Sequence, residues 1–229
     1  MSLGPGKLIP LHKVFINRRD AKLLIAEFLS GAIIWSDPKL SALKNSIRLS
    51  LREQQCGRCV FCRRIIKEER RNTTEDIEHF LDKSKRYYKK WAFHPMNLSI
   101  ACHSCNFVKS QKQMGDANIQ RAQYLVPGIG VYRWLHPYFD DYHENISIEK
   151  GWIYRIVDGA PNYNGARNLI EECELSVIVN IERNAEDYKL TCERLLKLAI
   201  ACAAKGQFTR MQKLQLSLQE LMRSKQFDF

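Results

Sequence analysis

Residues 77–112 read IEHFLDKSKRYYKKWAFHPMNLSIACHSCNFVKSQK, and this run decides the fold together with Cys59-Val-Phe-Cys62 ahead of it. Cys59 and Cys62 form one Cys-x2-Cys pair and Cys102 and Cys105 a second, with 39 residues between the pairs. Each pair can turn two thiolates toward one ion, and four sulfur ligands saturate tetrahedral zinc with no position left for water. The spacing therefore predicts a structural zinc. Cys56 makes an overlapping pair with Cys59; Cys59 and Cys62 are preferred because they directly precede the segment to be stapled, which leaves Cys56 spare. Clustered cysteines without a secretion signal read as metal ligands and not as disulfides. Cys173, Cys192 and Cys202 lie in helical patterns and read as small buried apolar residues.

Between the two pairs stand Glu78 and His79, then Asn97, and just after Cys105 comes Asn106. Phosphodiester hydrolysis needs a base to activate water, a hard cation to neutralise charge on the leaving oxygen, and a fixed in-line geometry. An imidazole takes a proton near neutral pH, so His79 is the candidate base. His94, His103 and the acidic cluster from Asp140 to Glu144 compete as metal ligands but rank lower. His103 sits inside the knuckle, His94 in the loop, and the acidic cluster lacks paired spacing.

The run 77–112 resembles the HNH, or ββα-metal, nucleases, and especially the subgroup reading E-H-F, K-S, N-L, C-x2-C-N and K. That subgroup is the HNH partner of Septu-type and retron-associated bacterial antiphage systems. The resemblance spans about 55 residues, a quarter of the chain. It implies a strand ending near His79, a long loop, a second strand from about Asn97 to Cys102, and a helix carrying Asn106. It also implies that Glu78 and Asn106 hold a catalytic Mg2+ or Mn2+, and that Asn97 orients the His79 loop. Many family members carry Asp where Glu78 stands and His where Asn106 stands; both departures occur in the subgroup. DNA in preference to RNA, a role in antiphage defence and an ATPase partner protein follow from the resemblance alone.

The loop between the strands interleaves Lys83, Lys85, Arg86, Lys89 and Lys90 with Tyr87, Tyr88, Trp91 and Phe93. Cations at Lys83 and Lys85, and at Lys109 and Lys112 on the next helix, suit contacts to the phosphate backbone, with the aromatics packed beneath the loop or stacked on bases. The chain's net charge of +11 is unevenly spread: the excess is +12 before residue 114 and −1 from there on. Such clustering beside a candidate active site favours a polyanionic partner over a merely solvated surface.

Outside the run, apolar residues at helical spacing predict two helices, over 18–32 (Leu23, Leu24, Ala26, Phe28, Leu29) and 38–54 (Leu40, Leu43, Ile47, Leu51), the second started by Asp37 and Pro38. Residues 145–157 alternate around Lys150 and Gly151 and predict a hairpin. From Ala166 onward the pattern is helical, with stripes Leu195, Leu196, Ala199, Cys202, Ala203 and Leu214, Leu218, Leu221, Met222 separated by Gly206. Residues 1–7 read as a flexible lead. The expected fold is thus a predominantly helical α+β protein. It comprises an N-terminal helical segment (1–54), a zinc-stapled ββα-metal module (55–114) and a hairpin with a C-terminal helical region (115–229).

At 45% apolar residues a real core is expected. No run approaches the roughly eighteen apolar residues of a membrane span, and no signal-peptide pattern opens the chain, so a soluble cytoplasmic protein is expected. Two rival functions keep the same fold: a zinc-stapled nucleic-acid-binding module without chemistry, and a scaffold or partner subunit of an ATPase complex. The joint presence of Glu78, His79 and Asn106 argues against the first, and a plasmid-nicking assay with Mg2+ or Mn2+ against EDTA separates the enzyme from both.

Overall fold

A computed structural model of the chain describes residues 3–67, 74–149 and 151–224, with the side chains of 179–187 and 224 outside the description. The single turn Lys13–Ile16 (α1) leads into Arg19–Ser30 (α2), which Gly31 ends at φ +90°, a left-handed state that glycine adopts without a Cβ clash. The buried residues of α2 are Ala21 and Phe28, seven positions and two turns apart, whereas Leu23 and Leu29 face solvent. Of the expected stripe, Phe28 is buried and Leu24 half-buried, while Leu23, Ala26 and Leu29 are exposed. Asp37 accepts from Lys39 N at 2.9 Å, and Pro38–Leu40 winds one tight turn into Ser41–Gln54 (α3). Here the periodicity holds: Leu40, Leu43, Ile47 and Leu51 are all buried, each contributing about 2 kcal/mol by leaving water.

Glu75–His79 (β1) and Leu98–Cys102 (β2) pair antiparallel, with Glu75 opposite Cys102 and His79 opposite Leu98. The seven-residue helix His103–Lys109 (α4) follows and packs on both strands. Gln55 presents its side-chain amide to β2 as a strand would: Ile100 N donates to Oε1 and Nε2 donates to Ile100 O, both at 2.8 Å. Behind the sheet α3 supplies Arg52 and Arg48 to the fully buried Glu75 carboxylate, Arg52 by hydrogen bond and Arg48 Nε at 3.6 Å. An unpaired carboxylate could not stay charged at that depth.

Ala117–Arg121 (α5) is capped by Asp116, and Tyr142–Asn145 (α6) by Asp141. The hairpin forms as predicted, from Ile146–Glu149 (β3) and Ile153–Ile156 (β4); Lys150 of its turn lies outside the described residues. Tyr163–Glu172 (α7) follows. Three buried tyrosines tie this part of the chain to β2 and to the turn carrying the first cysteine pair: Tyr138 donates to Leu98 O, Tyr142 to Phe61 O and Tyr154 to Cys62 O, at 2.6–2.9 Å. Residues 3–7 are not a loose lead, because Gly4 O accepts from His143 Nε2 and Gly6 O from Tyr142 N, both at 2.9 Å. Met1 and Ser2 lie outside the described residues.

The molecule is α+β, with about half of its residues helical and two small sheets. It divides into two compact units. The first, Met1–Ser147 with Tyr154–Leu175, contains all the candidate site residues and joins the 1–54 and 55–114 segments. The second, Ile148–Ile153 with Ser176–Phe229, is dominated by Leu175–Ala204 (α8) and Phe208–Ser224 (α9), with Gly206 between them at φ +67°. In α8 Ala199 and Cys202 are buried but Leu196 is exposed, and α9 half-buries Met211, Leu214, Leu218 and Leu221 at helical spacing while Met222 is exposed. Among the described residues no helix is long and apolar enough to cross a membrane.

Candidate functional site

Cys59, Cys62, Cys102 and Cys105 converge: their four sulfurs lie within 4.8 Å of one another, and the Cys62 and Cys102 Sγ atoms are 3.9 Å apart. A tetrahedron with zinc–sulfur bonds of about 2.3 Å sets its sulfurs about 3.8 Å apart, so the cluster has the size and ligand chemistry for a structural zinc. The sheet and the turn at residues 57–65 create it. Arg63 adopts φ +61°, folding the first pair back, and Val60 N donates to Ile100 O at 2.9 Å, which brings that turn against β2. Cys56 is exposed and outside the group, which resolves the overlapping pair in favour of Cys59 and Cys62. Burial pushes the Cys59 thiol up, while hydrogen bonds with the other three sulfurs pull Cys102 down. A divalent cation would hold all four as thiolates, the form that ligates.

A cleft of about 330 Å³ has a lining that includes Glu78, His79, Lys83, His103, Asn106 and Lys109. Adjacent residues of a strand point to opposite faces; Glu78 and His79 share the cleft because β1 ends at His79 and the chain turns there. His79 is only 5% exposed, and its Nε2 has no hydrogen-bond partner among the described residues. A backbone hydrogen bond with Ala92 therefore falls to Nδ1, which leaves the lone pair on Nε2. Burial, then the cations Lys83 and Lys109, hold the His79 pKa well below its usual value, so the ring is neutral at pH 7. The edge of Trp35 meets the ring at 4.5 Å between centroids.

Glu78 is 2% exposed, and burial pushes its carboxyl up against the opposing pull of Lys109, whose Nζ lies 2.6 Å from Glu78 Oε1 and donates to His79 O at 2.9 Å. Lys109 was expected on the surface. It is 2% exposed and internally paired, which removes it from the backbone contacts in this state. Asn106 donates from Nδ2 to Asp76 Oδ2 at 2.9 Å, and His103 Nδ1 meets the same oxygen at 3.0 Å. With its amino group so engaged, Asn106 has its carbonyl oxygen left for other use. The donors present, a carboxylate and an amide oxygen in one cleft, suit a hard divalent ion, and the Lys109 ammonium already stands where the carboxylate receives positive charge.

Asn97 lies outside the cleft lining. Its Oδ1 accepts from Leu81 N at 2.7 Å and its Nδ2 donates to Leu81 O and Trp91 O at 3.0 Å, so it pins the loop that leaves His79. Lys83 is half-buried in the cleft with Nζ 5.2 Å from the Trp35 ring centroid, while Lys85 is turned to Gln113 at 2.8 Å. Lys112 is half-exposed outside the cleft. Tyr88, Trp91 and Phe93 are buried beneath the loop, so base stacking is not open to them; the exposed aromatic at the cleft is Phe107, 76% exposed.

The competing metal candidates have structural partners. His94 Nδ1 accepts from Met96 N at 3.3 Å, Asp141 caps α6, and Asp140 accepts from His136 N at 2.6 Å. Asp76, Trp35 and the pairing of Lys109 escaped the sequence reading. Only Asp76 carried a signal, its two-residue offset from Glu78 on a strand. No protein-family model matches this chain, and comparison with curated proteins and with solved structures gives no match.

Proposed function

We propose that this protein is a metal-dependent HNH endonuclease that hydrolyses phosphodiester bonds of nucleic acid, DNA in preference to RNA. The observation that carries this reading is His79: a buried, neutral imidazole whose unpartnered Nε2 shares one open cleft with Glu78 and Asn106. In the proposed reaction Nε2 takes a proton from water as its oxygen attacks phosphorus, and the bond from phosphorus to the leaving oxygen breaks. The Ala92 hydrogen bond supports the required tautomer, and Asn97 supports the loop that carries it. Glu78 and Asn106 would hold Mg2+ or Mn2+, which when bound neutralises charge on the leaving oxygen. The zinc cluster, saturated by sulfur, would hold β2 and α4 in place without entering the reaction.

The basic first half of the chain and the half-buried Lys83 support a phosphate-bearing substrate. A place in bacterial antiphage defence beside an ATPase partner is part of the same proposal and rests on the resemblance of residues 77–112. Supercoiled plasmid incubated with the zinc-loaded protein tests the chemistry. Nicking with Mg2+ or Mn2+ that stops on chelating the free divalent ion is expected; equal nicking in both conditions would exclude this mechanism.

A further inference from the structure

Lys109 raises a question of charge. Its ammonium is 2.6 Å from Glu78 Oε1, accepts no solvent contact to speak of at 2% exposure, and is held from the other side by His79 O at 2.9 Å. Glu78 and Lys109 together are neutral. A divalent ion on Glu78 would raise that buried pair to a net +2, with Lys83 close enough to repel it further. Like charges at such separations repel strongly in a desolvated site. Either the ammonium leaves Glu78, or a phosphate enters to offset it.

We propose that Lys109 couples divalent-ion binding to substrate: it occupies the cation side of Glu78 in the resting protein, so that the pocket takes up its ion tightly only when a nucleic-acid phosphate arrives to receive the ammonium. This rests on the nuclease reading of the cleft. It gives a basic protein that binds nucleic acid widely a way to stay unloaded between substrates. The device requires no moving domain. Rotation of one lysine side chain about its own bonds is sufficient, in a cleft whose free volume of about 330 Å³ has room for the head group.

The test is Mn2+ affinity, read by electron paramagnetic resonance of the free ion, in zinc-loaded full-length protein carrying His79→Ala to prevent turnover. Adding duplex DNA should tighten Mn2+ binding by at least about tenfold. Lys109→Met in the same background should bind Mn2+ at least about tenfold more tightly without DNA, and DNA should then add little. Mn2+ binding that is unchanged or weaker in Lys109→Met would overturn the coupling while leaving the nuclease reading intact. Failure of every form to bind Mn2+ would remove the cation pocket itself, and both proposals with it. Should Lys109→Met not fold, Lys109→Gln in the same background, which removes the charge but keeps a donor for His79 O, carries the same Mn2+ titration. It should bind Mn2+ at least about tenfold more tightly without DNA than the Lys109 form does, and unchanged or weaker binding would count against displacement.

Discussion

At the scale of single residues, the site depends on side chains that cannot be charged, or cannot be free, at the same time. Asp76 shows this: one oxygen receives both Asn106 and His103, and that bond decides which end of the Asn106 amide is left for a cation. Asp76→Ala should lower nicking about 10- to 100-fold, the usual cost of losing such a support, with zinc content unchanged; full activity would mean that the amide needs no orientation. Buried histidines make a second, pH-dependent case. Burial lowers the His12 pKa to about 4 and holds His79 and His136 well below the ordinary value. Because the folded pKa is the lower one, the unfolded chain takes the proton first as pH falls. Stability is whole above pH 6.5 and is lost toward pH 4, by up to about 3 kcal/mol for His12. Thermal melts at pH 7 and pH 4.5 should show that loss, and His12→Gln should reduce it. A midpoint that does not move with pH would contradict the buried neutral rings. The sequence named His79, Glu78 and Asn106 because short motifs carry them, but a lysine on a short helix reads as exposed, and nothing local to Lys109 announces a partner 31 positions upstream.

At the scale of elements, two devices hold the strands and helix of the site, and they divide the work. Zinc at Cys59, Cys62, Cys102 and Cys105 would close the chain between the turn before β1 and the start of α4, a loop of 39 residues whose closure entropy the ion offsets. Cys105→Ser should lose the ion and melt the β1–β2–α4 unit, seen as lost zinc by elemental analysis and a lowered thermal midpoint; a fold and midpoint indifferent to the substitution would rule out a structural metal. Asn97 closes the other loop with three buried hydrogen bonds. Asn97→Ala strands those backbone groups and should cost about 3 kcal/mol in a denaturant melt, while zinc remains bound. The cysteine spacing made the first device legible. Helix α3 was equally legible, since Leu40, Leu43, Ile47 and Leu51 repeat at helical intervals and Asp37 caps the tight turn that leads into it. In α2 the same method finds Phe28 but not Ala21, because a twelve-residue helix with seven apolar positions has no single stripe to read. The lead at residues 3–7 was misread for another reason: its partners, Tyr142 and His143, are more than 130 positions away.

At the scale of the whole molecule, charge and architecture are segregated. The excess of +12 falls before residue 114, in the unit that holds the cleft, against −1 over the rest of the chain, while α8 and α9 are rich in exposed apolar side chains. Affinity for nucleic acid should therefore reside in the first unit and decline with salt. Lys83→Ala should flatten the slope of log affinity against log salt by about 0.9, one phosphate contact, and Lys85→Ala by less because Gln113 already engages it. Filter binding across a salt series measures both, and identical slopes would remove Lys83 from the substrate path. The charge division was visible in composition alone, whereas the joining of residues 1–54 with 55–114 into one unit depends on contacts such as Arg52 to Glu75 that no periodicity reveals. In the proposed reaction everything turns on Nε2 of His79 removing a proton from the attacking water. The most direct measurement compares nicking rates of the unsubstituted protein and His79→Ala at saturating Mn2+, matched in zinc content and in DNA affinity. A loss of at least about a hundredfold is predicted; nicking by His79→Ala at the unsubstituted rate would contradict it.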